Sequence, residues 1–123
     1  MNNIFLKFIL ILLVFNSCTQ KNNVAVLSNE QGIKLLVNGE DFIVNGMNWD
    51  YFPIGPNFSY SLWNQSDAFI EEALDAEMNL LKNMGVNTIR VYASIQPKWI
   101  TYIYEKYGIY TMLNHSFGRY GVS

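Results

Sequence analysis

Two polar side chains, Arg90 and His115, lie at or just beyond the ends of two apolar strand patterns. Each strand pattern directly follows a glycine, Gly85 or Gly108, that ends an amphipathic helical pattern. Repeated helix-glycine-strand units predict parallel strands that are joined by crossover helices. The C-terminal ends of such strands form the sheet edge at which α/β proteins place their ligand sites. Arg90 and His115 are therefore candidate binding residues at one edge of a parallel sheet.

The chemistry open to these residues is hydrogen bonding and charge pairing. His115 is the only histidine, so neither a multi-histidine metal site nor a histidine-based catalytic triad can be assembled. We expect no metal site and no cofactor. Arg90 interrupts an apolar strand, which is costly unless its guanidinium has a partner. That partner is either a group at a functional site or a structural carboxylate such as Asp50. His115 is equally consistent with a binding role and with a loop position that has no role.

A long aromatic segment follows another predicted strand, 47–50. Asn48 and Trp49, at the end of that strand, are further candidate binding residues. Residues 51–65 show neither a helical nor a strand period, and loops of this length in compact domains are usually functional or mobile. The segment contains the rings of Tyr51, Phe52, Phe58, Tyr60 and Trp63. These rings either form one wall of a binding site, with Trp63 as the candidate contact, or pack within the loop.

The N-terminal strands are predicted from two Asn-Gly pairs. Asn38-Gly39 separates two apolar segments and predicts a β-hairpin over 33–44. Asn45-Gly46 lets the chain turn again before a short strand, 47–50, that ends in polar residues.

The remaining elements alternate between helix and strand. Ser66 or Asp67 caps the first helix, and the second helix begins near Pro97. Strands 86–92 and 109–113 follow the two helices. The predicted buried positions of the first helix are Ile70, Ala73, Leu74, Met78, Leu81 and Met84, and those of the second are Trp99, Ile100, Ile103, Tyr104 and Tyr107.

The first residues resemble a bacterial lipoprotein signal. Lys7 precedes the apolar run 8–15, which is too short to span a bilayer as a helix. Cys18, the only cysteine, follows a small residue, which predicts a signal peptide over 1–17 and a lipidated Cys18 at the start of a tether, 18–31. We therefore expect a membrane-anchored lipoprotein of the cell envelope, periplasmic or surface-exposed. An ordinary signal peptide with an incidental cysteine, or a short membrane anchor, is the alternative.

The charge balance bears on the partner class. The formal net charge is -2, and the sequence has no basic patch that would hold a phosphate backbone. Nucleic acid is therefore not an expected partner.

Three motifs occur in a fixed order along the chain. They are LVNGEDFIVNGMNW at 36–49, LLKNMGVNTIRVY at 80–92 and YEKYGIYTM at 104–112. Together they resemble the segments that lead into the first three strands of β-galactosidase-like and related retaining glycoside hydrolases. The second and third motifs are also similar to those of β-1,3-glucanosyltransferases. The resemblance implies an α/β fold in which 32–123 form a truncated (β/α)8 TIM barrel, made of an N-terminal β-hairpin, three strands and two helices.

The resemblance also implies a function. The chain would be the N-terminal portion of a glycoside hydrolase that hydrolyses or transglycosylates a β-linked oligo- or polysaccharide. In such enzymes the acid/base and the nucleophile follow later strands, beyond Ser123, so no residue here is expected to be catalytic and the chain alone is expected to be inactive. The residues expected to contact the glycan are Asn48, Trp49, Trp63, Arg90 and His115, and Arg90 would lie close to the nucleophile.

The acidic residues do not offer a substitute catalytic pair. Glycoside hydrolysis needs two carboxylates about 5 Å apart for retention, or about 6.5 to 9.5 Å apart for inversion. Only Asp50 lies at a strand end, and the predicted outer helix faces carry Glu71, Glu72, Asp75, Glu77 and Glu105. The alternative function is a non-catalytic glycan-binding surface lipoprotein, or the product of a decayed gene fragment.

Overall fold

The computed structural model describes residues 22–55, 60–92 and 95–114. The chain divides into two compact units, with the boundary between Ile43 and Val44. The first unit contains one antiparallel sheet, and the second contains one parallel sheet with two α-helices.

The antiparallel sheet has the strand order β1-β2-β3. Its strands are β1 (Val24–Asn29), β2 (Gly32–Val37) and β3 (Glu40–Asp41). Asn38 and Gly39 join β2 to β3 with φ angles of 54° and 88°, the left-handed conformation that a tight hairpin turn requires at both positions. The predicted hairpin is confirmed. Strand β1 lies within the segment 18–31 that the sequence assigned to a tether.

The parallel sheet has the strand order β4-β5-β6, with β5 in the centre. Its strands are β4 (Gly46–Asn48), β5 (Thr88–Val91) and β6 (Tyr110–Leu113). Helix α1 (Asp67–Asn83) connects β4 to β5, and helix α2 (Pro97–Tyr107) connects β5 to β6. A short 3-10 helix, Leu62–Asn64, precedes α1. The predicted order of parallel strands and crossover helices in this unit is confirmed.

The helix ends explain why these boundaries fall where they do. The Ser66 hydroxyl accepts a hydrogen bond from the Phe69 backbone N–H and caps α1. At the other end, the backbone N–H groups of Gly85 (φ 80°) and Val86 donate hydrogen bonds to the backbone oxygens of Lys82 and Leu81, respectively. This is the pairing of a Schellman motif. Gly108 closes α2 in the left-handed conformation, with φ 70°.

The core of the second unit lies between the helices and one face of the parallel sheet. Ile89 of β5 is fully buried, and Val91 on the same strand is also buried. They belong to one apolar cluster with Ile70, Leu74, Met78, Trp99, Ile103, Tyr107 and Ile109. Most predicted helix core positions are therefore confirmed. Ile100 and Tyr104 are only partly buried. Met84 is 66% exposed, because it is the C-cap residue of α1 and its side chain leaves the buried stripe.

The expected truncated TIM barrel is wrong. The described residues form two helices and two small three-stranded sheets, one antiparallel and one parallel. Helix-glycine-strand units build any small parallel sheet with crossover connections. A barrel needs, in addition, a closed ring of strands whose tilt and stagger are matched all the way round. The local motifs specify the helix-glycine-strand units. They carry no information on whether the strands close into a ring.

Candidate functional site

A cleft of about 460 Å³ lies on the face of the parallel sheet that carries Arg90. Side chains alternate between the two faces of a strand, so Thr88 and Arg90 point away from the face that buries Ile89 and Val91. The cleft is lined by Val44, Gly46, Met47, Asn48, Thr88, Arg90 and Met112. All three parallel strands therefore contribute to it.

The strand register brings two predicted site residues together. Asn48 of β4 is paired with Arg90 of β5, and Arg90 is paired with Met112 of β6. Asn48 is exposed and Arg90 is half-buried. An amide and a guanidinium therefore stand side by side, with apolar side chains around them.

Gly46, in the lining of this cleft, allows a close approach of the neighbouring backbone. A Cβ atom at position 46 would lie 2.9 Å from the Thr88 backbone oxygen and 3.1 Å from Val44 Cγ1. Strand β5 therefore packs against β4 more closely than any residue with a side chain would allow.

Asn45 and Asn87 fix the relative position of the first two parallel strands. The Asn87 side-chain oxygen accepts a hydrogen bond from the Asn45 backbone N–H at 2.9 Å. In return, Asn45 Nδ2 donates a hydrogen bond to the Gly85 backbone oxygen at 2.7 Å. The Asn87 backbone N–H also donates to the Asn45 backbone oxygen. The sequence predicted only a turn at Asn45-Gly46 and no role for Asn87, although both asparagines lie inside the motifs at 36–49 and 80–92.

The Arg90 guanidinium is held by two neutral groups. Its Nη2 donates a hydrogen bond to Asn114 Oδ1 at 3.0 Å. The ring of Tyr92 lies 4.8 Å from the guanidinium carbon, a distance at which the cation is attracted to the ring face. Asp50, which the sequence offered as a structural partner, instead accepts a hydrogen bond from the Tyr51 backbone N–H. Asn114 was not predicted, and only its position one residue after β6 could have suggested it.

The two tryptophans that the sequence placed at the site pack against each other. Trp49 is buried in the apolar core, 6% exposed, and its ring centroid lies 6.2 Å from that of Trp63. The Trp49 indole N–H donates to Glu77 Oε2 at 3.5 Å. Neither ring lines the cleft. His115 and Cys18 lie outside the described residues.

The described part of the aromatic loop also packs largely against itself. The Tyr51 ring contacts the rings of Tyr60 and Phe69, with centroids 6.4 Å apart in both pairs. Burial raises the pKa of the Tyr60 hydroxyl. Phe52 also contacts Tyr60 but remains half-exposed. Phe58 lies outside the described residues.

Asp75 differs from the solvated helix-face carboxylate that the sequence predicted. It lies on α1 and accepts hydrogen bonds from Tyr102, Tyr107 and Lys106, all on α2. These bonds, first that from Lys106 and then those from the two tyrosines, lower the pKa of Asp75 to about 2. The carboxylate is a link between the two helices, on the opposite side of the sheet from the cleft.

Among the described residues, no group of three His, Cys, Asp or Glu side chains is placed to hold a metal ion. The helices in this part of the chain are also too short or too polar to cross a membrane. Comparisons of the sequence and structure with protein-family models, curated proteins and solved structures found no match.

Proposed function

We propose that this chain binds a β-linked glycan in the cleft on the parallel sheet, as the sugar-binding portion of a glycoside hydrolase. The observation that carries the proposal is the pairing of Asn48 with Arg90 across β4 and β5, in the lining of the cleft.

The chemistry of the cleft suits a sugar. The Asn48 amide has both donor and acceptor atoms, and the Arg90 guanidinium has only donors, so a hydroxyl group can bond to either. Val44 and Met112 supply apolar surface for the C–H faces of a sugar ring. A concave site with apolar walls and a few convergent polar groups is the usual form of a small-ligand site.

The sequence motifs point in the same direction. Asn48 lies in the motif at 36–49 and Arg90 in the motif at 80–92, and both motifs resemble segments of retaining glycoside hydrolases. Only the resemblance of these local segments supports the proposal, because the barrel that the resemblance implied is not the fold of this chain.

The cleft supports binding rather than bond cleavage by this chain. Glycoside hydrolysis uses two carboxylates beside the scissile bond, and no Asp or Glu is among the lining residues. The same observation favours the second candidate, a glycan-binding lipoprotein without catalysis. Hydrolysis in this cleft would require two carboxylates beside the bound glycan.

Calorimetric titration with neutral β-linked tetrasaccharides tests the proposal. We expect Arg90→Ala and Asn48→Ala each to weaken binding about tenfold, since each removes hydrogen bonds worth about 1 to 2 kcal/mol. The control is Lys82→Ala, which removes an exposed cation near the end of α1, away from the cleft, and should leave the affinity unchanged. Absence of binding by the unmodified chain to every β-linked glycan tested would refute the proposal.

A further inference from the structure

The positive charge of Arg90 has no counter-ion among the side chains of this sequence. All 10 Asp and Glu residues lie between Glu30 and Glu105, within the described residues. The ion pairs of the described residues are Lys34–Asp41, Lys98–Asp67 and Lys106–Asp75. Arg90 therefore pairs with none of the acidic side chains that the sequence offers.

Its surroundings make this unpaired charge costly. Arg90 is half-buried at the wall of the cleft, and its two contacts, the Asn114 amide and the Tyr92 ring, are neutral. A charge that is partly withdrawn from water without an opposite charge loses hydration that neutral contacts replace only in part. An anion that entered the cleft would offset this loss.

The geometry favours a planar anion. The hydrogen bond from Nη2 to Asn114 and the contact with the Tyr92 ring hold the guanidinium in one orientation. A guanidinium fixed in this way presents its remaining N–H groups as a fork that matches the two oxygens of a carboxylate. No acidic group lines the cleft, so nothing there would repel the ligand.

We propose that the glycan bound in this cleft carries a carboxylate, as a uronic acid does, and that Arg90 binds this carboxylate through two parallel hydrogen bonds. Asn48, paired with Arg90 in the strand register, then binds a hydroxyl group of the same or the neighbouring sugar. This inference rests on the proposed function, and it specifies the class of glycan.

Three matched ligands test the inference on the unmodified full chain. They are a β-linked disaccharide that ends in glucuronic acid, the methyl ester of that disaccharide, and its glucose counterpart. We expect the acid to bind about tenfold more tightly than the ester or the glucose form, because only the acid makes charge-assisted hydrogen bonds. Higher salt should reduce this preference.

Variants then assign the preference to Arg90. Arg90→Gln should abolish the preference for the acid, and Arg90→Lys should retain part of it, since an ammonium has the charge without the fork. Lys82→Ala is the control for loss of an exposed positive charge elsewhere. If an Arg90 variant does not fold, the comparison of acid with ester on the unmodified chain still decides the question.

The outcomes separate this inference from the proposed function. Equal affinity for the acid, the ester and the glucose form overturns the inference and leaves glycan binding intact. Tighter binding of a sulfated disaccharide than of the uronate also overturns the assignment to a carboxylate. If none of these ligands and no neutral tetrasaccharide binds, the proposed function itself fails.

Discussion

Gly46 shows how much a single residue contributes to the candidate site. Its lack of a side chain is required by the close approach of Thr88 and Val44, since a Cβ atom would lie 2.9 Å from a backbone oxygen. This constraint was not visible in the sequence, where Asn45-Gly46 indicated only a turn. The chain does turn before β4, but Gly46 itself is the first residue of the strand. A close contact of this kind depends on which strand lies alongside, and the pattern around Gly46 does not contain that information.

Gly46→Ala should destabilise the parallel sheet. Inserting a methyl group at a closely packed position costs about 1 to 3 kcal/mol, because the neighbouring backbone must shift. Chemical denaturation measures the change in the free energy of unfolding. Asn48→Ala, on the same short strand but exposed, is the control and should change stability by less than about 0.5 kcal/mol. Equal stability of Gly46→Ala and the unmodified chain would show that β4 does not pack against β5 as described.

At the scale of elements, the sequence predicted what local signals specify. The hairpin at Asn38-Gly39 and the helix ends at Gly85 and Gly108 were predicted, because glycine and asparagine adopt the left-handed conformation that these turns need. Strand β1 was missed as a sheet strand. It joins β2 through a turn in which Asn29 Oδ1 accepts a hydrogen bond from the Gln31 backbone N–H, and this turn has no Asn-Gly pair.

The link between α1 and α2 was missed for a different reason. The sequence pattern of α1 predicts Asp75 as a surface residue. Its partners lie on the other helix, with Tyr102 27 residues and Lys106 31 residues further along the chain. Only the packing of the two helices brings Tyr102, Lys106 and Tyr107 to it. Contacts between elements of this kind follow from the fold and not from local patterning.

The Asp75 link should make stability depend on acid pH. The pKa of Asp75 is lowered from 3.8 to about 2 in the folded chain, mainly by the hydrogen bond from Lys106. Because the folded pKa lies below the unfolded one, the contribution to stability is present above pH 4 and is lost as the pH falls towards 2.

Denaturation at a series of pH values tests this dependence. Asp75→Asn should lower stability at pH 7 and flatten the decrease between pH 4 and pH 2. Glu71→Gln, an exposed acidic position on the same helix, is the control and should leave the slope in place. The same slope in Asp75→Asn and in the unmodified chain would mean that the carboxylate does not link the helices.

At the scale of the whole molecule, the fold predicted from the sequence was wrong. The three motifs resemble segments of a barrel enzyme, yet the described residues form two small sheets and two helices. Arg90 and Asn48 nevertheless meet on one face of the parallel sheet, since this needs only correct pairing of neighbouring strands. Trp49 and Trp63 did not join them, because large aromatic rings beside an apolar helix are more readily buried in the core.

The chain by itself should not hydrolyse aryl β-glycosides. No carboxylate lines the cleft, and the isolated strand-end residue Asp50 cannot act as both acid and nucleophile. A chromogenic assay on a panel of aryl β-glycosides measures this directly. Turnover that is lost in Asp50→Asn would relocate the chemistry into this chain and contradict the account.

We expect Cys18 to carry a lipid, because the first residues resemble a bacterial lipoprotein signal. Metabolic labelling with a fatty-acid analogue should label the unmodified protein and leave Cys18→Ala unlabelled. Ser17→Ala keeps a small residue before the cysteine and is the control that should remain labelled. Labelling of Cys18→Ala equal to that of the unmodified protein would remove the basis for the proposed membrane anchor.

The most direct test of the central claim is an NMR titration of the full chain with a β-linked oligosaccharide, in which the backbone amide signals report the binding site. We expect concentration-dependent shifts at Gly46, Asn48, Thr88 and Arg90, with the signals of α1 and α2 largely unchanged. The claim is contradicted if no signal moves at millimolar glycan, or if the shifts are confined to the aromatic loop or to the outer helix faces while the cleft residues stay unchanged.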